Sequence, residues 1–320
     1  MKMLRLVAFL ACAAVLGTAS AQTYPQRPIR LIVPYAPGGS ADIAARLISD
    51  AWSKALGGTI VVENRAGAGG NIGVDAVAKS PADGYTIGLQ TVSLAINPGL
   101  FARMPYDTLK DLATIGMVAG SQHVLVINNK IPAKNLQELI TLAKARPDKL
   151  TYGSAGNGST FHMSAELFKS VANVSIVHVP YRGGGPALVD TIAGQVDMSF
   201  PVISAAQQHV LAGKLTALAV TGSKRSSLLP NVPTATEAGL PGYNFETWFM
   251  VFAPAGTPKP IIDKLNAALN STLTAQATKD RMLKEGFEPT PSTPEAARQR
   301  LEREMPMWAG LIKQRGITAE

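Results

Sequence analysis

Cysteine is almost absent from this chain. Of 320 residues only Cys12 carries a thiol, and it falls in an apolar stretch near the amino terminus. Residues 1–21 read as a secretory signal peptide: Lys2 and Arg5 form a basic start, residues 6–16 are apolar, and Ala19-Ser20-Ala21 is a small-residue cleavage motif before Gln22. Residues 9–12 make a poor lipoprotein box with too short an apolar run ahead of them, so lipidation is the lesser reading. Cleavage after Ala21 leaves a mature chain without cysteine, expected in the periplasm. That excludes structural disulfides, thiol catalysis and cysteine-held metals, even in an oxidising compartment.

Aromatic residues are sparse too, at 6%. The formal charge of +8 falls to +6 once Lys2 and Arg5 are removed, and the remaining basic residues are scattered, with Lys224-Arg225 among the few adjacent pairs. Such a balance favours anionic partners but lacks the basic stripe interleaved with stacking rings that nucleic acid requires. After the signal no apolar run is long enough to span a membrane. Catalytic motifs are also missing. There is no Gly-x-Ser-x-Gly elbow and no His-Glu-x-x-His, and the four histidines, His123, His162, His178 and His209, are too far apart for a local metal motif. Neither a metal nor a cofactor is expected. A Ser159/His162 pair leaves an exported serine hydrolase as a minor alternative; otherwise His162 faces a cleft or packs on a sheet.

What the chain has is a repeated turn. Val33-Pro34-Tyr35-Ala36-Pro37-Gly38-Gly39-Ser40-Ala41 returns as Val179-Pro180-Tyr181-Arg182-Gly183-Gly184-Gly185-Pro186-Ala187, giving V-P-Y-x-x-G-G-x-A once in each half. In both copies an apolar strand runs into glycines and then into a helix start, with Ser40 as N-cap in the first and Pro186 at the first helical position in the second. A helix start leaves up to four amides unpaired and carries about half a positive charge, which suits a carboxylate, phosphate or sulfate. Glycine before a helix is also ordinary α/β punctuation, but the repetition favours two anion-receiving turns acting as a pincer. The loop 154–160, with Ser159 and Thr160 able to cap or donate, is a third such turn, and Ser93 lies past the carboxyl end of the strand expected over 85–89.

Strands alternating with helices argue for an α/β chain of parallel sheets, and its length divides into two lobes. Helices are expected over 40–56, with Ile43, Leu47 and Ala51 on one face, and over 71–79, 135–145, 161–171, 186–193, 260–277, 279–285 and 294–313. A helix capped by Ser93 runs toward Phe101. Strands are expected over 29–33, 59–63, 85–89, 150–153, 176–179, 196–200, 215–221 and 245–252, with near-continuous β character over 112–127. Residues 64–73 resemble a dinucleotide fingerprint only superficially, because Ile72 stands where the third glycine belongs, and backbone packing is the favoured reading. The chain crosses between lobes within 112–127 and recrosses near 245, so 22–122 with 244–320 form one lobe and 123–243 the other. Asp197 either orients a ligand or caps nearby amides. The terminal helices read as solvated and carry no site candidate.

Pro25-Gln26-Arg27-Pro28-Ile29-Arg30, the first turn, Val62-Glu63-Asn64-Arg65-Ala66-Gly67-Ala68-Gly69-Gly70-Asn71, the segment 152–159, the second turn and Gly194-Gln195-Val196-Asp197 together resemble the Bug proteins. These are periplasmic substrate-binding components of tripartite tricarboxylate transporters, related to the Bordetella uptake gene products. The resemblance spans residues 24–312. It implies a two-lobed periplasmic-binding-protein fold with two chain crossings, each lobe a mostly parallel sheet flanked by helices, closing over a small carboxylate held by two loops and ordered water. By position it implies Ala36, Gly38, Gly39 and Ser40 in the first-lobe loop with Ser93 beside it. On the second side it implies Asn157, Ser159, Thr160, Gly183, Gly184 and Asp197. The implied partners are the permease subunits of such a transporter, for a receptor acting as a monomer. Pro201 stands where many members of the family carry an acidic residue, which points to a mono-, di-, tri- or aromatic carboxylate without an amino group. A sensor docking a receptor in place of a permease is the runner-up, since both need the same cleft.

Overall fold

The computed structural model describes residues 24–319, so the signal peptide and Cys12 lie outside the described residues. Two sheets organise the chain. In the first, β1 (Ile29–Val33), β2 (Ile60–Asn64) and β3 (Thr86–Thr91) run parallel, and β10 (Glu246–Pro254) then pairs antiparallel with both β3 and β4 (Leu112–Gln122); β11 (Glu288–Pro289) closes the far edge. In the second, β7 (Val177–Pro180), β6 (Thr151–Ser154) and β8 (Met198–Ser199) are parallel, while β5 (Val124–Asn128) lies antiparallel between β8 and β9 (Leu215–Val220).

Both sheets are therefore mixed, and the reason lies in the crossings. β4 runs through His123 straight into β5, which enters the second sheet from the side opposite to β6 and β8; β10 returns to the first sheet against β3 and β4. Four buried clusters flank the sheets, two on each. One of them mixes the halves: Met163 from the second packs with Phe245, Trp308, Leu311 and Ile312.

Helix α1 (Ser40–Leu56) buries Ala41, Ala44, Ala45, Ile48 and Trp52 most deeply, while Ile43 and Leu47 of the expected face pack half-buried against the same cluster. Small side chains let it lie close on the sheet, and Trp52 fixes its far end by donating Nε1–H to the Leu265 carbonyl at 3.2 Å. The helices α2 (Asn71–Ala78), α3 (Ser93–Leu100), α4 (Leu136–Ala145), α5 (Thr160–Ala172) and α6 (Gly184–Ala193) follow, then α7 (Ile203–Leu211), which the sequence reading lacked. The carboxyl-terminal helices are α8 (Lys259–Thr274), α9 (Gln276–Lys284) and α10 (Pro294–Arg315). Helix α6 starts two residues before the expected position, so Pro186 is its third residue and Gly183, at φ 115°, is its N-cap. The loop before α2 is packing, as expected: a Cβ on Gly73 would stand 2.6 Å from Pro34 Cβ, so this glycine lets the loop support the first turn. Helix α10 is not the free solvated face expected. Arg298 donates to the Leu109 carbonyl at 2.7 Å, and Arg300 lies over the Trp248 ring while pairing with Glu304.

Candidate functional site

In open α/β sheets the ligand crevice forms beyond the carboxyl ends of the parallel strands. Here the ends of β1 and β3 from one sheet, and of β6 and β7 from the other, open onto one cavity of about 490 Å³. On the first side stand the turn after β1, with Tyr35, Ala36, Gly39 and Ser40, and the residues Thr91 and Ser93 after β3. Facing them are Ala155, Ser159 and Thr160 at the start of α5, and Gly183 and Gly184 at the start of α6; Val202 and Thr247 complete the wall. No lysine, arginine, histidine, aspartate or glutamate lines this cavity. Five helix starts do, those of α1, α3, α5 and α6 and, through its N-cap Val202, α7, and the first amides of a helix have no acceptor within it.

Each turn spends some of its donors on itself. Gly39, not Ser40, is the N-cap of α1, and no side chain caps that helix. Asp42 folds back instead, accepting from the Gly38 amide at 3.0 Å, from Arg46 at 3.0 Å and from Asn64 at 3.0 Å. Burial works to raise the Asp42 carboxyl, but the bond to Arg46, then those from Gly38 and Asn64, hold it below the ordinary range. Likewise Val92 precedes α3 in the cap position, and Ser93 is its first residue. Its hydroxyl ends a short run, Tyr35 to Thr91 at 3.0 Å and Thr91 to Ser93 at 3.2 Å, and burial raises the Tyr35 phenol, so it stays a neutral hydrogen-bonding group.

On the second side Ser159 does cap. Its oxygen accepts from the His162 backbone amide at 3.3 Å, while the His162 ring uses Nδ1 to accept from the Gly158 amide at 2.9 Å. Serine and imidazole thus form no nucleophile–base pair. Two histidines that are distant in sequence meet here: His162 and His178 stack with centroids 4.0 Å apart, and His178 lies 4.8 Å from the Tyr152 ring. Burial lowers both imidazoles to about 4 and keeps them neutral; for His162 the neighbouring His178 adds to this and Glu166 opposes it. No group of three or more His, Cys, Asp or Glu among the described residues could hold a metal. No helix among them is long and apolar enough to cross a membrane.

Ala36, Gly39, Ser40, Ser93, Ser159, Thr160, Gly183 and Gly184 thus come together around one space. Three expected residues stand apart. The Gly38 amide is taken by Asp42. Asn157 lines a different cavity of about 320 Å³ behind the loop. Asp197 precedes β8, at the end of the central strands away from the cavity, where it accepts from the Thr151 amide at 2.7 Å and hydroxyl at 3.0 Å: it caps, because it sits at the amino end of its strand. Sequence reading passed over Tyr35, Thr91, Val202 and Thr247. Thr91 could have been found beside Ser93, but Thr247 sits inside a strong strand with nothing local to mark it.

Thr247 is placed by the crossing. His123 is fully buried between the rings of Phe161 and Phe245, with Nδ1 2.7 Å from the Phe200 carbonyl and Nε2 2.8 Å from Thr247 Oγ1. A carbonyl only accepts, so Nδ1 carries the proton and Nε2 accepts the Thr247 hydroxyl. Burial lowers this imidazole to about 4.

A search against protein families matches residues 44–317 to "Tripartite tricarboxylate transporter family receptor". The chain belongs to this family. It is a family of solute-binding receptors and not of enzymes. Over its full length the chain is similar to Protein BugT of Bordetella pertussis, 41% identical and covering 99% of each chain. Among solved structures it is similar to R. palustris Rpa4515 with adipate, at 36% identity and a TM-score of 0.80, covering 92% of this chain and 99% of that one. It is also similar to MatC (Rpa3494) from Rhodopseudomonas palustris with bound malate, at 33% identity and a TM-score of 0.77, covering 90% and 100%. As a member of this receptor family the chain has the two-lobed fold of periplasmic binding proteins.

Proposed function

We propose that this receptor captures a small carboxylate without an amino group between its lobes, in the periplasm, and presents it as a monomer to the permease subunits of a tripartite tricarboxylate transporter. The lobes are residues 22–122 with 244–320 and residues 123–243, turning about His123 and Phe245. One observation carries the reading: helix N-termini from both sheets converge on a cavity without a single charged side chain. Amides and hydroxyls there supply donors for an anion, and nothing supplies a counter-charge for a ligand ammonium. Similar proteins solved with adipate and with malate support a carboxylate. The first amides of α1 hold one end of the ligand, with Ser40, Ala36, Gly39 and Ser93; Ser159, Thr160, Gly183 and Gly184 hold the other.

The test is thermal unfolding of the mature chain against a panel of mono-, di-, tri- and aromatic carboxylates, with aspartate as the amino-bearing control. A ligand at 100 times its dissociation constant should add about 2.7 kcal/mol to stability. If only aspartate or a neutral sugar stabilises the protein, the reading is wrong.

A further inference from the structure

Behind the ligand-facing loop lies a buried charge cluster that joins the two sides of the molecule. Glu166 on α5 is 4% exposed. Its Oε1 accepts from the Tyr152 hydroxyl at 2.7 Å and from Lys169 at 2.5 Å, and its Oε2 accepts from Arg315 at 2.8 Å. Tyr152 and Lys169 belong to the same side as Glu166. Arg315 does not: it is the last residue of α10, which packs on the six-stranded side, and it forms the only ion pair among the described residues between that side and 123–243. A carboxylate buried this deeply is costly unless its oxygens are paired. Three donors satisfy it here, so the bond from Arg315 is needed by Glu166 and cannot be discarded freely when the lobes move. Beside it, Met163 and Leu167 of α5 pack with Trp308, Leu311 and Ile312 of α10.

The same carboxylate reaches the ligand loop through packed rings. The Tyr152 ring, held at its hydroxyl by Glu166, lies 4.8 Å from His178 at 17°, and His178 lies 4.0 Å from His162 at 10°. His178 Nε2 is 2.6 Å from Ser154 Oγ, which in turn accepts from the Gly156 amide at 3.1 Å; His162 Nδ1 accepts from Gly158. Ser154, Gly156 and Gly158 are the backbone of the loop that delivers Ser159 and Thr160 to the cavity. Leu100 of α3 closes the loop from the other side: a Cβ on Gly158 would stand 2.3 Å from Leu100 Cδ2.

From this geometry we infer that the Glu166–Arg315 pair is an inter-lobe latch, with Glu166 and Arg315 as positioning residues that hold the loop 154–159 in register with the first lobe. The latch keeps populated the arrangement in which both sets of helix N-termini face one cavity. Breaking it lowers that population, and apparent affinity falls in proportion.

The experiment uses the mature chain, which has no cysteine of its own. Lys54→Cys and Lys214→Cys, exposed and on opposite lobes, receive spin labels, and electron–electron distances are measured without ligand in four backgrounds: parent, Arg315→Ala, Arg315→Lys and Glu166→Gln. The expected result is a broader or shifted distribution for Arg315→Ala and Glu166→Gln, and recovery toward the parent for Arg315→Lys. Adipate and malate titrations of the same variants should show affinity about tenfold lower for Arg315→Ala, within the usual range of coupling between sites, and less loss for Arg315→Lys. Unchanged distances overturn the latch, as does tighter binding by Arg315→Ala. If neither acid binds the parent, carboxylate capture fails for these probes, while the ligand-free distances still decide the latch.

Discussion

The two V-P-Y-x-x-G-G-x-A turns share their letters and differ in where their helices begin. In the first, Gly39 is the N-cap and the helix starts at the serine, the eighth position of the motif; in the second, Gly183 is the N-cap and the helix starts at Gly184, the sixth. The tyrosines diverge with them. Tyr35 turns its hydroxyl to Thr91 at the cavity, while Tyr181 donates to Asp190 on its own helix at 2.8 Å, and burial with that carboxylate beside it raises its phenol to about 12. The first turn also contains its own acid, Asp42, which consumes the Gly38 amide; the second has no acid in its first helical turn. A shared motif therefore yields one turn braced by its own acid and one without such an acid.

The strongest way to break this contrast is to place an acid on the open turn. Gly184→Asp brings a carboxylate to the amides proposed to receive one, and its Cβ would also press on the Phe161 ring, 2.8 Å away. Carboxylate affinity should fall by at least about a hundredfold, from like charge at a helix N-terminus and lost space. Gly38→Ala, in open space but at φ 81°, should cost about 1 kcal/mol of stability and leave affinity within a few-fold. Calorimetric titration of both, with circular dichroism to check folding, decides. Equal losses would mean the turns are equivalent after all.

Acid should separate the lobes next. All four histidines lie within 123–243, and burial lowers three of them, His123, His162 and His178, from 6.5 to about 4. Between those values the unfolded chain binds protons that the folded chain refuses, so this stability is complete above pH 6.5 and is lost as pH falls toward 4. At pH 5 His123 alone should remove about 2 kcal/mol. Hydrogen exchange at pH 7 and pH 5 should show amides of 123–243 losing protection before those of β1 to β3. Uniform loss would show that the histidines do not set the acid limit.

A smaller effect sharpens the contrast within the second side. Ser159→Ala removes a cap worth about 1 kcal/mol and a hydroxyl at the cavity, so both stability and affinity should drop, affinity by about fivefold. Asp197→Asn, at the strand end away from the cavity, should cost stability alone. A matching loss of affinity in Asp197→Asn would return that residue to the site.

Helix starts, alternating strands and glycine turns were readable because their causes are local: of Ser159 and Thr160, both able to cap or donate, Ser159 is the cap, and the strand over 29–33 is where its apolar run put it. Ser40 and Ser93 failed as caps by one residue: Gly39 takes the extended entry conformation, and Val92 already has helical backbone angles, so each serine falls inside its helix. Pro186 looked like a first helical residue because proline needs no amide partner anywhere in the first turn, and position three serves as well. For Asp197 the residues left ligand and cap open, and only the resemblance put it at the site, because sequence shows a strand but not which end faces the ligand. Thr247, the His162–His178 stack and the Arg315–Glu166 pair depend on residues 16 to 149 positions apart. No local pattern could have announced them.

The cavity's lack of charged side chains and of any imidazole sets what acid can and cannot do to this receptor. The amides and hydroxyls proposed to hold the ligand keep their protons throughout the range in which carboxylates and imidazoles titrate. Its grip on a fully ionised ligand should therefore not drift as the surroundings acidify, and the sensitivity is carried elsewhere, by buried imidazoles at the crossing and behind the loop. Under acid stress such a receptor keeps its selectivity for as long as it keeps its shape, and fails by coming apart before it fails by letting go.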